Sequence, residues 1–286
     1  MSEHYLRNDL AAQTQADDLF VWASELAEHA CPKDVYRNKE GRKTLRFERA
    51  GKSYFLKLHS GIGWSEIFKN LLQLRLPILG ARNEYEAVEK LRDLGVDTMS
   101  VAAYTSEGFN PAAIHSLIIT DDLVGTISLE TYCEHWVKQP PTVATRLGLI
   151  KKLADSARRM HGAGINHRDF YICHFHLEPE SLTPTGVSHD SIRCYLIDLH
   201  RAQVRKKTPR RWLVKDLAGL YFSSMDIGLS QRDLLRFMHH YCEGGLREAL
   251  GPGATVWADV KNRALKLYRK EHGTEPPLLR SGVLGQ

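Results

Sequence analysis

The 286-residue chain predicts an α+β fold of two lobes, a β-rich N-terminal lobe followed by a mainly helical C-terminal one. Three observations predict it. Ser53-Tyr54-Phe55-Leu56-Lys57-Leu58 alternates like a strand directly after the turn-like Ala50-Gly51-Lys52. From Leu147, the apolar residues Ile150, Leu153, Ala154, Ala157 and Met160 recur at spacings of three and four with Lys151, Lys152, Arg158 and Arg159 between them, a helix with one buried face. Between these, Ile118-Ile119-Thr120-Asp121-Asp122-Leu123 is an apolar strand running into an acidic, extended connector. The expected boundaries are a poorly ordered 1–16, a first lobe 17–121, a second lobe 122–271 and a poorly ordered 272–286.

In chain order, the alternating run makes Lys57 a lysine on the third strand of an N-terminal sheet. Trp64, Ile67, Phe68, Leu71 and Leu72 then line one helical face, opposite Ser65, Glu66, Lys69, Asn70 and Gln73, with Arg75 beyond. A second helix begins at Asn83 and carries Glu84 and Glu86 in its first turn; spacing does not separate them as partners of Lys57. After the helix from Leu147, Gly162 and Gly164 supply cap and turn conformations, and the chain enters Ile165-Asn166-His167-Arg168-Asp169. Residues 179–190, with Pro184, Gly186 and Ser188, read as an inserted loop. Cys194 to Ile197 is an apolar strand that delivers Asp198 at its end, and Arg211 to Leu220 opens a further helix. Asp216 on it either bonds the backbone of the loop around Asp169 or faces the dipole of a helix N-terminus.

Phosphoryl transfer from ATP needs a carboxylate at the acceptor hydroxyl, another holding Mg²⁺ on the phosphates, and a lysine on the α- and β-phosphates fixed by a glutamate. Asp169, Asp198, Lys57 and Glu84 meet these needs in the required chain order, each on the required kind of element, which makes the expected architecture a two-lobed protein-kinase-like fold. His167 and Arg168 join Asp169 as catalytic candidates, and the connector at Asp121 is expected to hold the nucleotide through backbone groups. Singly, each residue has a plainer reading: a strand lysine is usually solvated and a helix glutamate usually makes an ion pair of small value.

Three longer segments carry a closer resemblance: Lys57 to Trp64, Gly164 to Phe175, and Ile197 to Gln203. They resemble the WaaP-type (WaaP/RfaP) lipopolysaccharide core heptose kinases, over about Val35 to Tyr268. The resemblance implies ATP-dependent phosphorylation of the first inner-core heptose, with Asp169 as base, Asp198 on Mg²⁺ and Lys57 on ATP. Three departures from the ordinary protein-kinase pattern stand out. His174 occupies the position five after Asp169 where an asparagine would bind a second metal, and it is carried as a second metal candidate although imidazole suits Mg²⁺ poorly. Leu199-His200 follows Asp198 in place of phenylalanine-glycine, and only Gly41 and Gly51 stand near the place of a glycine-rich phosphate loop.

Net charge is +5, and 201–215 holds seven bases (Arg201, Arg205, Lys206, Lys207, Arg210, Arg211, Lys215) and no acid. Such a rim would collect an acceptor bearing phosphates and sugar carboxylates, so Arg201, His200, Arg205 and Arg211 are expected acceptor contacts; a solvated basic loop is the plain alternative. Aromatics interleaved for nucleic acid are lacking, so no nucleic-acid partner is expected. Five cysteines without paired spacing and an N-terminus without an apolar signal region fit a reducing cytoplasm, and Cys173, His174 and His176 lack the Cys-x-x-Cys spacing of a zinc site. A composition of 43% hydrophobic and 26% charged residues is that of a soluble globular chain, with no run of eighteen apolar residues to span a bilayer.

The Trp64 helix could instead lie on the cytoplasmic face of the inner membrane, where the lipid-anchored acceptor resides. An acidic carrier protein such as acyl carrier protein is a further expected partner. The rival readings are a related kinase acting on Kdo or on protein hydroxyls, and a non-catalytic kinase-like scaffold at the membrane.

Overall fold

An antiparallel sheet organises the first of two units that make up the chain: Met1–Lys90, Met99–Val124 and Leu199–Arg201. The computed structural model describes residues 3–12, 14, 18–39, 41–72, 79–182 and 191–277, without the side chain of Asn70. Strands β1 (Glu3–Leu6), β2 (Val35–Lys39), β3 (Arg42–Arg49), β4 (Lys52–Ser60), β5 (Val101–Glu107) and β6 (His115–Asp121) lie in the order β1-β5-β6-β4-β3-β2. The β3–β4 hairpin closes at Ala50 and Gly51, both at positive φ (46° and 75°), the conformation of a tight two-residue turn. Alternation in β4 sends Tyr54, Leu56 and Leu58 into a core shared with Leu45, Leu117 and Ile119, against Trp22, Ala23 and Ala27 of α2 (Leu19–Glu28). Each large side chain buried there contributes roughly 1.5–3 kcal/mol. The same alternation puts Lys57 on the other face.

Residues 1–16 were expected to be poorly ordered, and the described part is not. β1 pairs with β5, α1 (Asn8–Ala11) follows, and Leu10 is fully buried. Arg7 grips Asp121 through two hydrogen bonds of 2.6 and 2.8 Å and Asp9 through two more. A four-residue strand among polar residues shows no periodicity of its own; only the partner strand specifies it. Lys57 consequently lies on the fourth strand of the chain, where the sequence suggests the third. At the other end α10 (Ala254–His272) is a regular helix, and 278–286 lie outside the described residues, as do 183–190 of the expected loop and Gln73 and Arg75.

Helix α3 (Gly63–Leu72) has the predicted amphipathic character but buries little of it: Ile67 is inside, whereas Trp64, Phe68, Leu71 and Leu72 are exposed. Helix α4 (Arg82–Asp93) buries Glu84, Ala87, Val88 and Leu91, an i, i+3, i+4, i+7 stripe.

The second unit comprises Leu91–Thr98, Gly125–Asp198 and Ala202–Gln286. It contains β7 (Ile127–Ser128), α5 (Leu129–Cys133), α6 (Val143–Gly162), β8 (Ile165–Asn166), β9 (Phe175–Leu177), β10 (Cys194–Leu196), β11 (Gln203–Val204), α7 (Arg210–Ser223), α8 (Gln231–Tyr241), α9 (Gly245–Leu250) and α10. Thr142 caps α6 by accepting from the Thr145 N–H, and Arg146 ties α6 to α8 through Asp233 at 2.9 Å. Short pairs β9–β10 and β8–β11 hold the segments that carry Asp169 and Asp198. An apolar cavity of about 560 Å³ lies in this unit, lined among others by Trp136, Leu149, Leu217, Leu220, Phe237 and Trp257. No described helix is long and apolar enough to cross a membrane.

His59, two residues after Lys57, is buried beside Arg42, Lys57, His200 and Arg37; burial first, then these charges, lower its pKa to about 3. A lowered imidazole pKa means that the unfolded chain takes up the proton first. Stability from the neutral ring is therefore complete above pH 6.5 and is lost as pH falls toward 3, by about 2 kcal/mol at pH 5. Urea midpoints at pH 7.5 and pH 5 check this, with His59→Gln expected to flatten the difference; an undiminished acid loss in the variant refutes it.

Candidate active site

Lys57 meets its glutamate within the first unit. Its Nζ lies 2.5 Å from Oε1 of Glu84, whose carboxylate is buried, while Glu86 pairs outward with Arg82 at 2.7 Å. The structure thus separates two acids that spacing left equivalent. Glu84 is one turn before Val88 on the buried stripe of α4, so its carboxylate is drawn inward; Glu86 falls on the wet side.

In the second unit, α6 ends at Gly162, and only Gly164 takes the left-handed conformation (φ 82°). A Cβ there would stand 1.9 Å from the carbonyl oxygen of Arg205, so the turn needs glycine for space as well as for φ. Gly162, expected to share this role, has ordinary helical geometry and open space around it. The chain then enters the loop bearing Asp169, and Asp216 holds it. Asp216 is fully buried and accepts from the N–H groups of His167 (2.7 Å) and Arg168 (2.8 Å). It sits in the middle of α7, which excludes the reading as an acid at a helix N-terminus. Ser223 accepts from the Ile172 N–H at 2.9 Å and ties the far end of the loop to the same helix.

Arg168 and Asp198 both have positive φ, 78° and 61°. Left-handed backbone at residues with a Cβ costs roughly 1–2 kcal/mol each, and the hydrogen bonds that Asp216 accepts supply part of what holds Arg168 there.

His167, placed beside Asp169 as catalytic, is fully buried and donates from Nε2 to the Ile197 carbonyl (2.9 Å), one residue before Asp198. Burial holds its pKa below the ordinary value, consistent with a neutral ring. It links two segments and cannot reach a substrate. Arg168 is also buried, its guanidinium 5.1 Å from the Trp212 ring centre. Arg211 (5.1 Å) and Lys215 (5.6 Å) face the same ring, so three cations gather on one indole.

His174 lies between the Asp169 backbone and the Asp198 carboxylate. Its Nδ1 donates to the Asp169 carbonyl at 2.6 Å, and its Nε2 faces Oδ2 of Asp198 at 3.5 Å. Burial opposes its charge, but the hydrogen bonds to Cys173 and to the Asp169 backbone, with the nearby Asp198, raise its pKa to about 9. Nδ1 is thus engaged by the Asp169 backbone, and Nε2 is directed at the carboxylate expected to hold the metal. Asp198 remains as a single carboxylate, and among the described residues no three His, Cys, Asp or Glu form a metal cage. That fits Mg²⁺, which binds through one or two carboxylates and substrate phosphates.

Two other expected contacts, Asp121 and Arg205, have partners within their own units. The Asp121 carboxylate is taken by Arg7 and its N–H by the Ser100 carbonyl at 2.9 Å. Arg205 donates to Asn166 (2.5 Å) and Gln203 (2.6 Å), pinning β11 to β8 instead of projecting to an acceptor. His200 and Arg201 form a short turn with buried Leu199 in the first unit. The sequence reading missed Trp212 and counted Lys215 only as one base in a run. The available signal was helical placement, since Trp212, Lys215 and Asp216 share one face at spacings of three and four.

Residues 27–241 match the family described as lipopolysaccharide kinase (Kdo/WaaP). A lipopolysaccharide core heptose(I) kinase WaaP of Escherichia coli K12 is 50% identical over 270 residues, covering 94% of this chain and 98% of that protein. The kinase of the same description from Pseudomonas aeruginosa is 48% identical over 237 residues, 83% of this chain and 87% of its own. A solved structure, WaaP in complex with acyl carrier protein, is 40% identical and superposes with a TM-score of 0.77, covering 93% of this chain and 99% of that one.

Proposed function

The chain belongs to the lipopolysaccharide kinase (Kdo/WaaP) family, and from this premise we infer that it phosphorylates the first inner-core heptose of lipopolysaccharide with ATP as donor. The observation that carries the reading is the 50% identity over 94% of the chain to a core heptose(I) kinase. The site residues support it chemically. Asp169 orients the heptose hydroxyl and takes its proton as the oxygen attacks the γ-phosphorus and the bond to the leaving ADP oxygen breaks. Lys57, fixed by Glu84, neutralises the α- and β-phosphates. Asp198 would hold Mg²⁺, which would offset negative charge on the ATP phosphates. Arg211 contacts anionic groups of the acceptor. His167, Asp216 and Ser223 keep the loop in place and touch no substrate.

The test is transfer of γ-³²P from ATP with Mg²⁺ to dephosphorylated lipopolysaccharide containing heptose, alongside a Kdo acceptor lacking heptose and a generic protein acceptor. Label on the heptose core alone is expected. Label only on Kdo or protein would move the acceptor, and saturable nucleotide binding with no label anywhere would favour a scaffold.

Two finer partners belong to the same reading. The exposed Trp64, Phe68, Leu71 and Leu72 of α3, with Lys69 on its flank, suit shallow insertion into an anionic leaflet beside the lipid-anchored acceptor. Flotation with phosphatidylglycerol vesicles is expected to carry the wild type and to lose Phe68→Glu/Leu72→Glu; equal flotation of both removes α3 from the membrane contact. An acyl carrier protein is the second partner, supported by the protein captured with the solved WaaP and by an apolar cavity of a size that takes a fatty acyl chain. Native mass spectrometry after co-expression with the carrier protein checks it, and a chain recovered only without carrier argues against it.

A further inference from the structure

We infer that Lys215 is a catalytic residue of the transfer, its ammonium group held beside Asp169 to meet the oxygens of the phosphoryl group in flight. The inference rests on the kinase reading above. In phosphoryl transfer the protein forms few covalent bonds, and a cation fixed where charge spreads over the equatorial oxygens is a principal source of rate. The loop from His167 to His174 contains no lysine, and its own bases point elsewhere. Arg168 is buried with its guanidinium at Trp212, and His174 directs both ring nitrogens to the Asp169 carbonyl and the Asp198 carboxylate.

Lys215 reaches the place from outside the loop. It precedes Asp216 on α7, so one turn of helix clamps the loop's backbone and delivers a cation to it. The Lys215 Nζ donates to the Arg168 carbonyl, and it stands 4.0 Å from Oδ1 of Asp169, with 22% of the side chain exposed. That separation is longer than a hydrogen bond, and it leaves the ammonium to contact an oxygen of a ligand that Asp169 addresses. Helix and loop lie close together: a Cβ at Gly219 would come 2.9 Å from the Phe170 carbonyl oxygen, so the α7 backbone packs directly against the loop. The Trp212 ring, 5.6 Å from Nζ, flanks the ammonium on a second side. Lys215 keeps its proton throughout. The acceptor proton goes to Asp169 and the bond electrons to ADP, while the ammonium only stabilises charge.

The plain alternative is a strap that steadies the Arg168 carbonyl and touches no substrate. Lys215→Met and Lys215→Arg separate the two when single-turnover transfer, KM for ATP, thermal melting and binding of ADP with Mg²⁺ and aluminium fluoride are measured beside the wild type. Lys215→Met is expected to lower the transfer rate by ~10²–10³-fold. Its KM for ATP and its melting temperature are expected to stay at wild-type values. It is also expected to bind ADP normally but lose the tightening that aluminium fluoride, a mimic of the transferring group, gives the wild type. Lys215→Arg is expected to recover much of both. Wild-type transfer by Lys215→Met overturns the inference, as does a loss in which both variants melt early and keep the fluoride effect. If the wild type shows the fluoride effect but labels no heptose acceptor, the acceptor assignment fails and the role of Lys215 stands.

Discussion

Asp169→Ala is expected to lower γ-phosphoryl transfer by roughly 10²–10⁴-fold, the range for losing a positioned general base. Nucleotide binding and folding are expected to persist. The side chain of Asp169 is 17% exposed, so its removal opens no large cavity, and the loop's backbone is held by groups that the substitution leaves in place. Lys57 and Asp198 also remain for the nucleotide. Titration with a fluorescent ATP analogue together with single-turnover transfer provides the check. A variant that no longer binds nucleotide would contradict the role given to Asp169, and one that turns over at the wild-type rate would eliminate it.

Asp216→Ala should give the opposite profile, losing stability and activity together. Its carboxylate is fully buried, and its removal strands the N–H groups of His167 and Arg168, each also buried. An orphaned buried donor costs about 1–3 kcal/mol, so the pair costs about 2–6 kcal/mol, large beside the usual margin of stability. Arg168 is also left at a φ of 78° with less to hold it, so the loop can relax away from its active geometry. Asp216→Asn keeps an acceptor for one of the two donors and should fall between alanine and wild type. Denaturant midpoints measured with turnover for both variants test the point. Asp216→Ala with an unchanged midpoint would mean that other contacts suffice to hold the loop.

The charged residues of the site differ in what a sequence can say of them. Lys57, Asp169 and Asp198 were legible because each terminates or punctuates a local pattern: an alternating strand, a glycine-broken turn, an apolar strand ending in an acid. The helical character of α6 and the two faces of α3 were legible for the same reason, since 3.6-residue periodicity is written in consecutive residues, whereas the first turn of α6, from Val143, was not. Side-chain partners were not. Glu84 and Glu86 have equivalent local chemistry, and only the packing of α4 makes one the neighbour of Lys57. Arg205 looked like a ligand contact because a base is visible in a sequence and its hydrogen bonds to Asn166 and Gln203 are not; the bond from the Asp121 N–H to Ser100 in the connector is equally invisible there.

By itself, then, the sequence determined the α+β class, the strand, turn and strand end on which Lys57, Asp169 and Asp198 stand, and the likeness to heptose kinases. Tertiary structure alone decided that the N-terminal segment is a strand, that His167 is a buried linker, that the His174 ring stands between the Asp169 carbonyl and the Asp198 carboxylate, and that Asp216 and Lys215 bond the Asp169 loop from 47 to 49 residues away. The physical reason is range. Backbone conformation and amphipathicity arise from neighbours a few residues apart, whereas burial, charge pairing and hydrogen-bond satisfaction depend on which distant segments the folded core brings into contact.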